Sequence, residues 1–236
     1  MTRHSLGQHY LVDQDLVRKI VSAAAIHKDE RVLEIGTGKG ALSQALVGLG
    51  RSFEGYEVDR ENYAETLEAL GRKDATIHLG DAFKETPRFD VLISSLPYSK
   101  SAAFVEWLSR AEYERAVVLL QEDFVDKVLA EPGARDYRGV SAIAQISSEL
   151  RVLWRVGRSA FSPPPRVNSV VVSIKPKRRM SRTEVSKVKL LFSLRRREVA
   201  SALAKLKMAV DTKAFAGRRV YSLRPEEVMV ICADRR

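Results

Sequence analysis

Glycines 36, 38 and 40 follow the apolar run Val32-Leu33-Glu34-Ile35 and precede a helix-like stretch, Ala41 to Leu49. Glycine lets a backbone turn sharply and approach a ligand closely, because it has no Cβ. The spacing Gly-x-Gly-x-Gly is not the dinucleotide fingerprint Gly-x-Gly-x-x-Gly, and it lacks the Gly-Lys-Ser/Thr ending of a phosphate-cradling loop. Glu57 follows about 20 residues on, where a ribose-binding carboxylate belongs. Together these residues suit a ribose-bearing ligand that needs no pyrophosphate, and S-adenosylmethionine is one such ligand. Two more polar residues end predicted strands, Asp81 and Ser95. Asp81 would accept a hydrogen bond from an adenine amino group. Each signal also has a plainer reading: a tight turn for the glycines, a surface acid for Glu57, a turn residue after Gly80 for Asp81.

Ser95-Leu96-Pro97-Tyr98 bears on reactivity. An exocyclic amine on a nucleobase is a poor nucleophile, because its lone pair is delocalised into the ring. Two acceptors bonded to its hydrogens would hold the nitrogen towards sp³ geometry and aim the lone pair. The side chain at 95 and a backbone carbonyl near Pro97 would serve, acting by orientation and by matching charge in the transition state. Tyr98 would stack on the base. The plainer reading is a turn with a buried tyrosine.

The elements that must position these groups alternate. Strands are expected at Arg31–Ile35, Ser52–Val58, Ala75–Leu79, Asp90–Ser94, Arg115–Leu120, Leu150–Val156 and Val167–Ile174. Helices are expected between most of them: one capped by Asp13, then Ala41–Leu49, Glu61–Leu70, Ser101–Arg110, Gln121–Ala130 and a short one over Ser141–Ser148. No helix separates the last two strands, which predicts an antiparallel pair. Alternating strands and helices make a doubly wound α/β sheet, here of seven strands, with ligands at the strand carboxyl ends. A small basic helical domain is expected beyond Lys175-Pro176-Lys177, giving a division of 1–176 and 177–236. In it Val185, Val188, Leu191 and Phe192 share one helix face, Val199, Leu203 and Leu206 another, and Pro225 opens a final helix.

Charge separates along the 236 residues. From Lys177 to Arg236 there are 17 Lys/Arg against 6 Asp/Glu, a balance of +11. The whole chain is +10, so the remainder is close to neutral at −1. Such clustering favours a polyanionic partner, nucleic acid first. Cys232 is the sole cysteine, which excludes an internal disulfide. No apolar run of 18 residues is present, so a membrane partner is not expected and a cytoplasmic location is. No metal site is read from the sequence.

The chain resembles the ribosomal RNA adenine N6,N6-dimethyltransferase family of the small subunit, from Gly7 to about Arg197. Gly7-Gln8-His9-Tyr10-Leu11-Val12-Asp13 is similar to the family's Gly-Gln-(His/Asn)-Phe-Leu-x-Asp. Leu33 to Ser43 is similar to its Leu-Glu-Ile-Gly-x-Gly-x-Gly-x-Leu-Thr loop, and Gln121 to Gln145 follows its middle segment. Phe161-Ser162-Pro163-Pro164-Pro165-Arg166-Val167-Asn168-Ser169 matches its Phe-x-Pro-Pro-Pro-x-Val-x-Ser at every fixed position. The C-terminal part is shorter than in many bacterial members, which together with the charge resembles archaeal ones.

The resemblance implies a Rossmann-like S-adenosylmethionine-dependent methyltransferase sheet with a small C-terminal α-helical domain. It implies methyl transfer to N6 of two adjacent adenosines near the 3′ end of small-subunit rRNA, within an assembling subunit. The implied cofactor contacts are His9, Leu11, Gly36, Gly38, Glu57, Asp81 and Ser95. The target adenine would lie between Tyr98 and Phe161, with Ser95 and Pro97 completing the catalytic set. A monomer is expected. The family has Asn where this chain has Ser95, so a ribosome-assembly factor of the same fold with little catalysis is the alternative. A third reading, an enzyme of large-subunit rRNA, is disfavoured by the intact Phe161–Ser169 segment and the basic tail.

Overall fold

The computed structural model describes residues 9–71 and 74–234. Gly7 and Gln8 of the N-terminal motif, and Arg235 and Arg236 of the basic tail, lie outside the described residues. Seven strands form one mixed sheet: β2 (Arg31–Ile35), β3 (Ser52–Glu57), β4 (Thr76–Leu79), β5 (Val91–Ser95), β6 (Arg115–Gln121), β7 (Ser148–Val156) and β9 (Ser169–Pro176). Their order is β4-β3-β2-β5-β6-β9-β7. The first five are parallel, and β9 inserts antiparallel between β6 and β7. The expected antiparallel pairing of the last two strands is therefore present. The order reverses at β2, so the crevice above β2 and β5 is the place where a ligand sits in an open α/β sheet.

Successive side chains along a strand point to opposite faces, and both faces of this sheet are apolar. Leu92, Val118, Leu120 and Val172 face one core; Val91, Ile93, Val117, Leu119 and Val171 face the other. The second core is closed by α1 (Gln14–Ala24) and α2 (Ala41–Leu46). Asp13 caps α1, its carboxylate accepting from the Leu16 N–H at 3.0 Å. The helix after the glycine loop is shorter than expected, because Val47 leaves helical backbone and Gly48 takes φ 85°. α3 (Arg60–Leu70) ends at Gly71, as its sequence predicts.

The first core is covered by α4 (Ser101–Leu108), α5 (Glu122–Leu129) and α6 (Gly139–Ser147). The helices α7 (Arg182–Ser193), α8 (Val199–Lys205) and α9 (Pro225–Cys232) join the same core through Val185, Leu191, Leu203 and Val228. The expected division at Pro176 coincides with the end of β9, and the helices beyond it share apolar contacts with the sheet domain. Lys189 of α7 also pairs with Glu106 of α4 at 2.8 Å. Among the described residues no helix is long and apolar enough to cross a membrane.

Two further strands, β1 (Tyr10–Leu11) and β8 (Phe161–Ser162), pair antiparallel outside the main sheet. Sequence periodicity does not announce them, since two residues carry no alternation. They bring the N-terminal motif onto the Phe161–Ser169 motif, 150 residues away.

At the opposite end of the sheet Arg31 anchors β2 to Asp90, the residue before β5. The Arg31 guanidinium donates to both carboxylate oxygens at 2.7 and 3.0 Å, and its N–H donates at 2.7 Å. The guanidinium beside it holds the Asp90 carboxyl down at about 2. A depressed carboxylate stabilises the fold above its ordinary value of 3.8 and loses that contribution as pH falls towards 2. We expect Asp90→Asn to lower stability by about 1.5–3 kcal/mol at neutral pH, the range for hydrogen bonds to a charged group. Chemical denaturation from pH 7 down to 3 should show the gap between wild type and variant narrowing.

Candidate active site

The crevice is built from the glycine loop upward. Gly36, Gly38 and Gly40 take φ values of 76°, 56° and 80°, a region closed to most side chains at low cost. Gly36 turns the chain at the end of β2, its N–H donating to the Tyr56 carbonyl at 2.8 Å. A Cβ on Gly36 would point at Pro97 Cδ and the Ser95 carbonyl, 3.8 and 3.9 Å off. A Cβ on Gly38 would meet the Tyr10 ring at 3.5 Å. Both are ordinary contact distances, so the positive φ values rather than lack of room call for glycine where the loop faces the Ser95–Tyr98 segment and Tyr10.

Glu57 ends β3, buried, and its carboxylate is already engaged. One oxygen accepts the Gly38 N–H at 2.8 Å; the other accepts from Val58 and Asp59 at 2.8 and 3.0 Å. Burial pushes this carboxyl above the usual range, and the three amide bonds oppose that shift. Three acceptor sites are used of about four on a carboxylate, so a lone pair remains for a ligand hydroxyl. Gly38 is held a second time, its carbonyl accepting from Thr66 Oγ1 at 2.8 Å.

The other predicted residues separate into two groups. His9, Leu11, Gly36, Gly38, Glu57, Ser95, Pro97, Tyr98 and Phe161 all line one cavity. Asp81 does not; its carboxylate accepts from the Phe83 N–H at 3.0 Å and caps the turn after β4. That bond uses Oδ1 alone and leaves the second carboxylate oxygen open, so the capping contact stands beside the ligand role read from the sequence. Leu11 pairs with Phe161 across the β1–β8 ribbon, and the His9 ring, 5.6 Å from the Tyr98 ring, meets the Pro163 carbonyl through Nδ1 at 2.8 Å. The Tyr98 hydroxyl bonds Ser169 Oγ at 2.7 Å, which fixes the ring at the cavity wall. Burial raises the Tyr98 phenol above its ordinary value, opposed by the Ser169 bond, so it stays protonated. The Pro97 carbonyl accepts the Lys100 N–H at 2.9 Å and keeps its second lone pair.

Other residues line this cavity without a role having been read from the sequence, Tyr10 and Glu34 among them. Tyr10 lies over the glycine loop, its hydroxyl donating to Asn62 Oδ1 at 3.0 Å, with the Lys39 ammonium 5.0 Å from its ring centre. Glu34 sits beneath the cavity, 1% exposed, and accepts from Ser43 Oγ at 2.5 Å. An acid among apolar strand residues was the available signal. Both lie inside motifs that had been recognised.

The strand order, the glycine cradle and the acid ending β3 define the chain as a Rossmann-like methyltransferase. A family model described as ribosomal RNA adenine dimethylase matches residues 1–227. The chain is 33% identical over 239 residues to a probable ribosomal RNA small subunit methyltransferase A of Pyrococcus abyssi, covering 96% of this chain and 89% of that one. It is 35% identical over 245 residues to the protein of the same description in Thermococcus gammatolerans, covering 96% and 87%. Among solved structures it superposes on a dimethyladenosine transferase of Plasmodium falciparum with TM-score 0.78 and 23% identity, covering 94% and 96%. It superposes on the 23S rRNA methyltransferase ErmE with TM-score 0.66 and 22% identity, covering 94% and 97%. The chain belongs to the ribosomal RNA adenine dimethylase family, and S-adenosylmethionine is its methyl donor.

Burial pushes the Glu34 carboxyl up to about 8, with the nearby Glu57 adding to the shift and the Ser43 bond opposing it. A raised carboxyl binds its proton more tightly folded than unfolded. Its contribution to stability is full below 4.5 and is lost as pH rises towards 8. Glu34→Gln keeps an acceptor for Ser43 and removes the titration. We expect the variant to gain stability relative to wild type as pH rises through this window, read as a widening difference in Tm.

Proposed function

We propose that this chain transfers methyl groups to N6 of two adjacent adenosines near the 3′ end of small-subunit rRNA during ribosome assembly. The observation that carries this is the single cavity shared by the glycine cradle, Glu57, the Ser95–Tyr98 segment and Phe161. Small-subunit over large-subunit rRNA is favoured by the relatives at 33–35% identity, which are described as probable small-subunit rRNA methyltransferases. The fold itself does not choose, since ErmE shares it.

The cradle of Gly36 and Gly38 would hold the cofactor, with Glu57 receiving a ribose hydroxyl and with His9 and Leu11, before and on β1, closing the site. When bound, S-adenosylmethionine supplies an electrophilic methyl group on a sulfonium. The residues of the chain do the rest. Tyr98 and Phe161 present flat apolar faces to an adenine drawn out of its RNA, at a cost of a few kcal/mol in unstacking. Ser95 Oγ and the free lone pair of the Pro97 carbonyl accept the two amine hydrogens and fix the nitrogen. No strong base is required, because the amine becomes acidic only once it has gained a carbon. The hydroxyl of Ser95 is shorter than an asparagine amide and turns freely, so it holds the amine less firmly.

An RNA-assembly factor without turnover is the second reading, and Ser95 is the observation that favours it. The basic surface of the C-terminal helices suits RNA phosphates in either case. The test is methyl transfer to purified small subunits that lack the modification, with products resolved by mass spectrometry into mono- and dimethyladenosine. Wild type should make product, Ser95→Asn should match or exceed it, Ser95→Ala should fall about 10-fold or more on losing an oriented acceptor, and Tyr98→Ala should be nearly inactive. Inert wild type and Ser95→Asn that still bind the subunit would establish the assembly-factor reading instead.

A further inference from the structure

Lys100 is a cation of the cavity wall to which the reaction as described assigns no task. It lies two residues beyond Tyr98 and immediately before α4, exposed at the mouth of the cavity. Its backbone is fixed by the bond from its N–H to the Pro97 carbonyl, so the residue is rigidly tied to the segment that would hold the amine. Lys39, the other lysine of the wall, pairs with Glu65 at 2.9 Å and covers Tyr10. Lys100 forms no ion pair with any described carboxylate. The acids of the cavity, Glu34 and Glu57, are buried on the cofactor side and bonded there to Ser43 and to backbone amides.

We propose that Lys100 binds a phosphodiester of the RNA strand beside the flipped adenosine and so positions the nucleotide for reaction. The inference rests on the reading above that an adenine enters between Tyr98 and Phe161. A base taken out of its stack carries its ribose and both flanking phosphates to the mouth of the pocket. Those phosphates are anions that must settle near whatever charge stands there. An ammonium on a flexible stem suits a phosphate as a point charge, without the planar geometry an arginine imposes. The carboxylate of the cofactor is the other anion within the site. It offers the same chemistry, and the experiment separates the two.

Full-length wild type, Lys100→Ala and Lys100→Arg are compared on small subunits lacking the modification. Three quantities are read: KM and kcat for the subunit, the salt dependence of subunit binding, and calorimetric affinity for S-adenosylmethionine. Lys100→Ala should raise KM severalfold with little change in kcat, the pattern of a contact made equally in ground and transition states. Its log–log salt slope should be shallower by about 0.7–0.9, one phosphate contact. Cofactor affinity should be unchanged, and Lys100→Arg should restore both KM and slope. An unchanged KM and slope would overturn the proposal and leave Lys100 a solvated charge. Weaker cofactor binding with an unchanged slope would overturn it in favour of the cofactor carboxylate. The salt slope needs no turnover, so it tests Lys100 even should wild type prove inert and the reading of the reaction fail.

Discussion

The buried carboxylate of Glu57 ties the glycine loop of one strand to the end of the next. It takes the N–H of Gly38 from across the crevice and the N–H groups of Val58 and Asp59 from its own turn. A loop with three glycines in left-handed backbone has many alternatives open to it when free. One charge-accepting group bonded at several points removes them, and hydrogen bonds to an ionised acceptor are the stronger kind. The cradle, its distance from Pro97 and the seat of Tyr10 all follow from where that loop is held.

A second constraint joins the two halves of the site. β1 lays Tyr10 and Leu11 along one rim, with His9 just before it, and β8 sets Phe161 against Leu11 through direct pairing. Tyr10 closes on the glycine loop while Leu11, the next residue, meets Phe161. Adjacent residues of a strand point to opposite sides, so one short ribbon reaches both the glycine loop and the cavity wall at Phe161. On the far wall the bond between Tyr98 and Ser169 ties the segment after β5 to the start of β9. The Phe161–Ser169 motif therefore supports the site from both its ends.

Much of this was legible in the residues. Unbroken apolar runs such as Arg115–Leu120 announce buried strands, and Asp13, Gly71 and Pro225 mark helix ends by their own chemistry. The missing helix between the last two strands foretold their antiparallel pairing. What local pattern could not supply was contact across long separations. The β1–β8 ribbon is two residues deep, and nothing near Tyr10 speaks of Ser162. Asp81 reads equally as a ligand or a cap, and only the fold shows that its Oδ1 takes the Phe83 amide. The basic tail declared its charge, while its apolar faces did not say that they would join the core beneath the sheet.

The account stands on one claim, that the carboxylate holding the glycine loop also receives the cofactor. Titration calorimetry of S-adenosylmethionine into wild type and Glu57→Ala measures it directly. The account predicts binding to wild type and a loss of roughly 1–3 kcal/mol in the variant, the cost of a polar contact unmade at a buried site. Equal affinity in the two proteins would contradict it and remove Glu57 from the cofactor site.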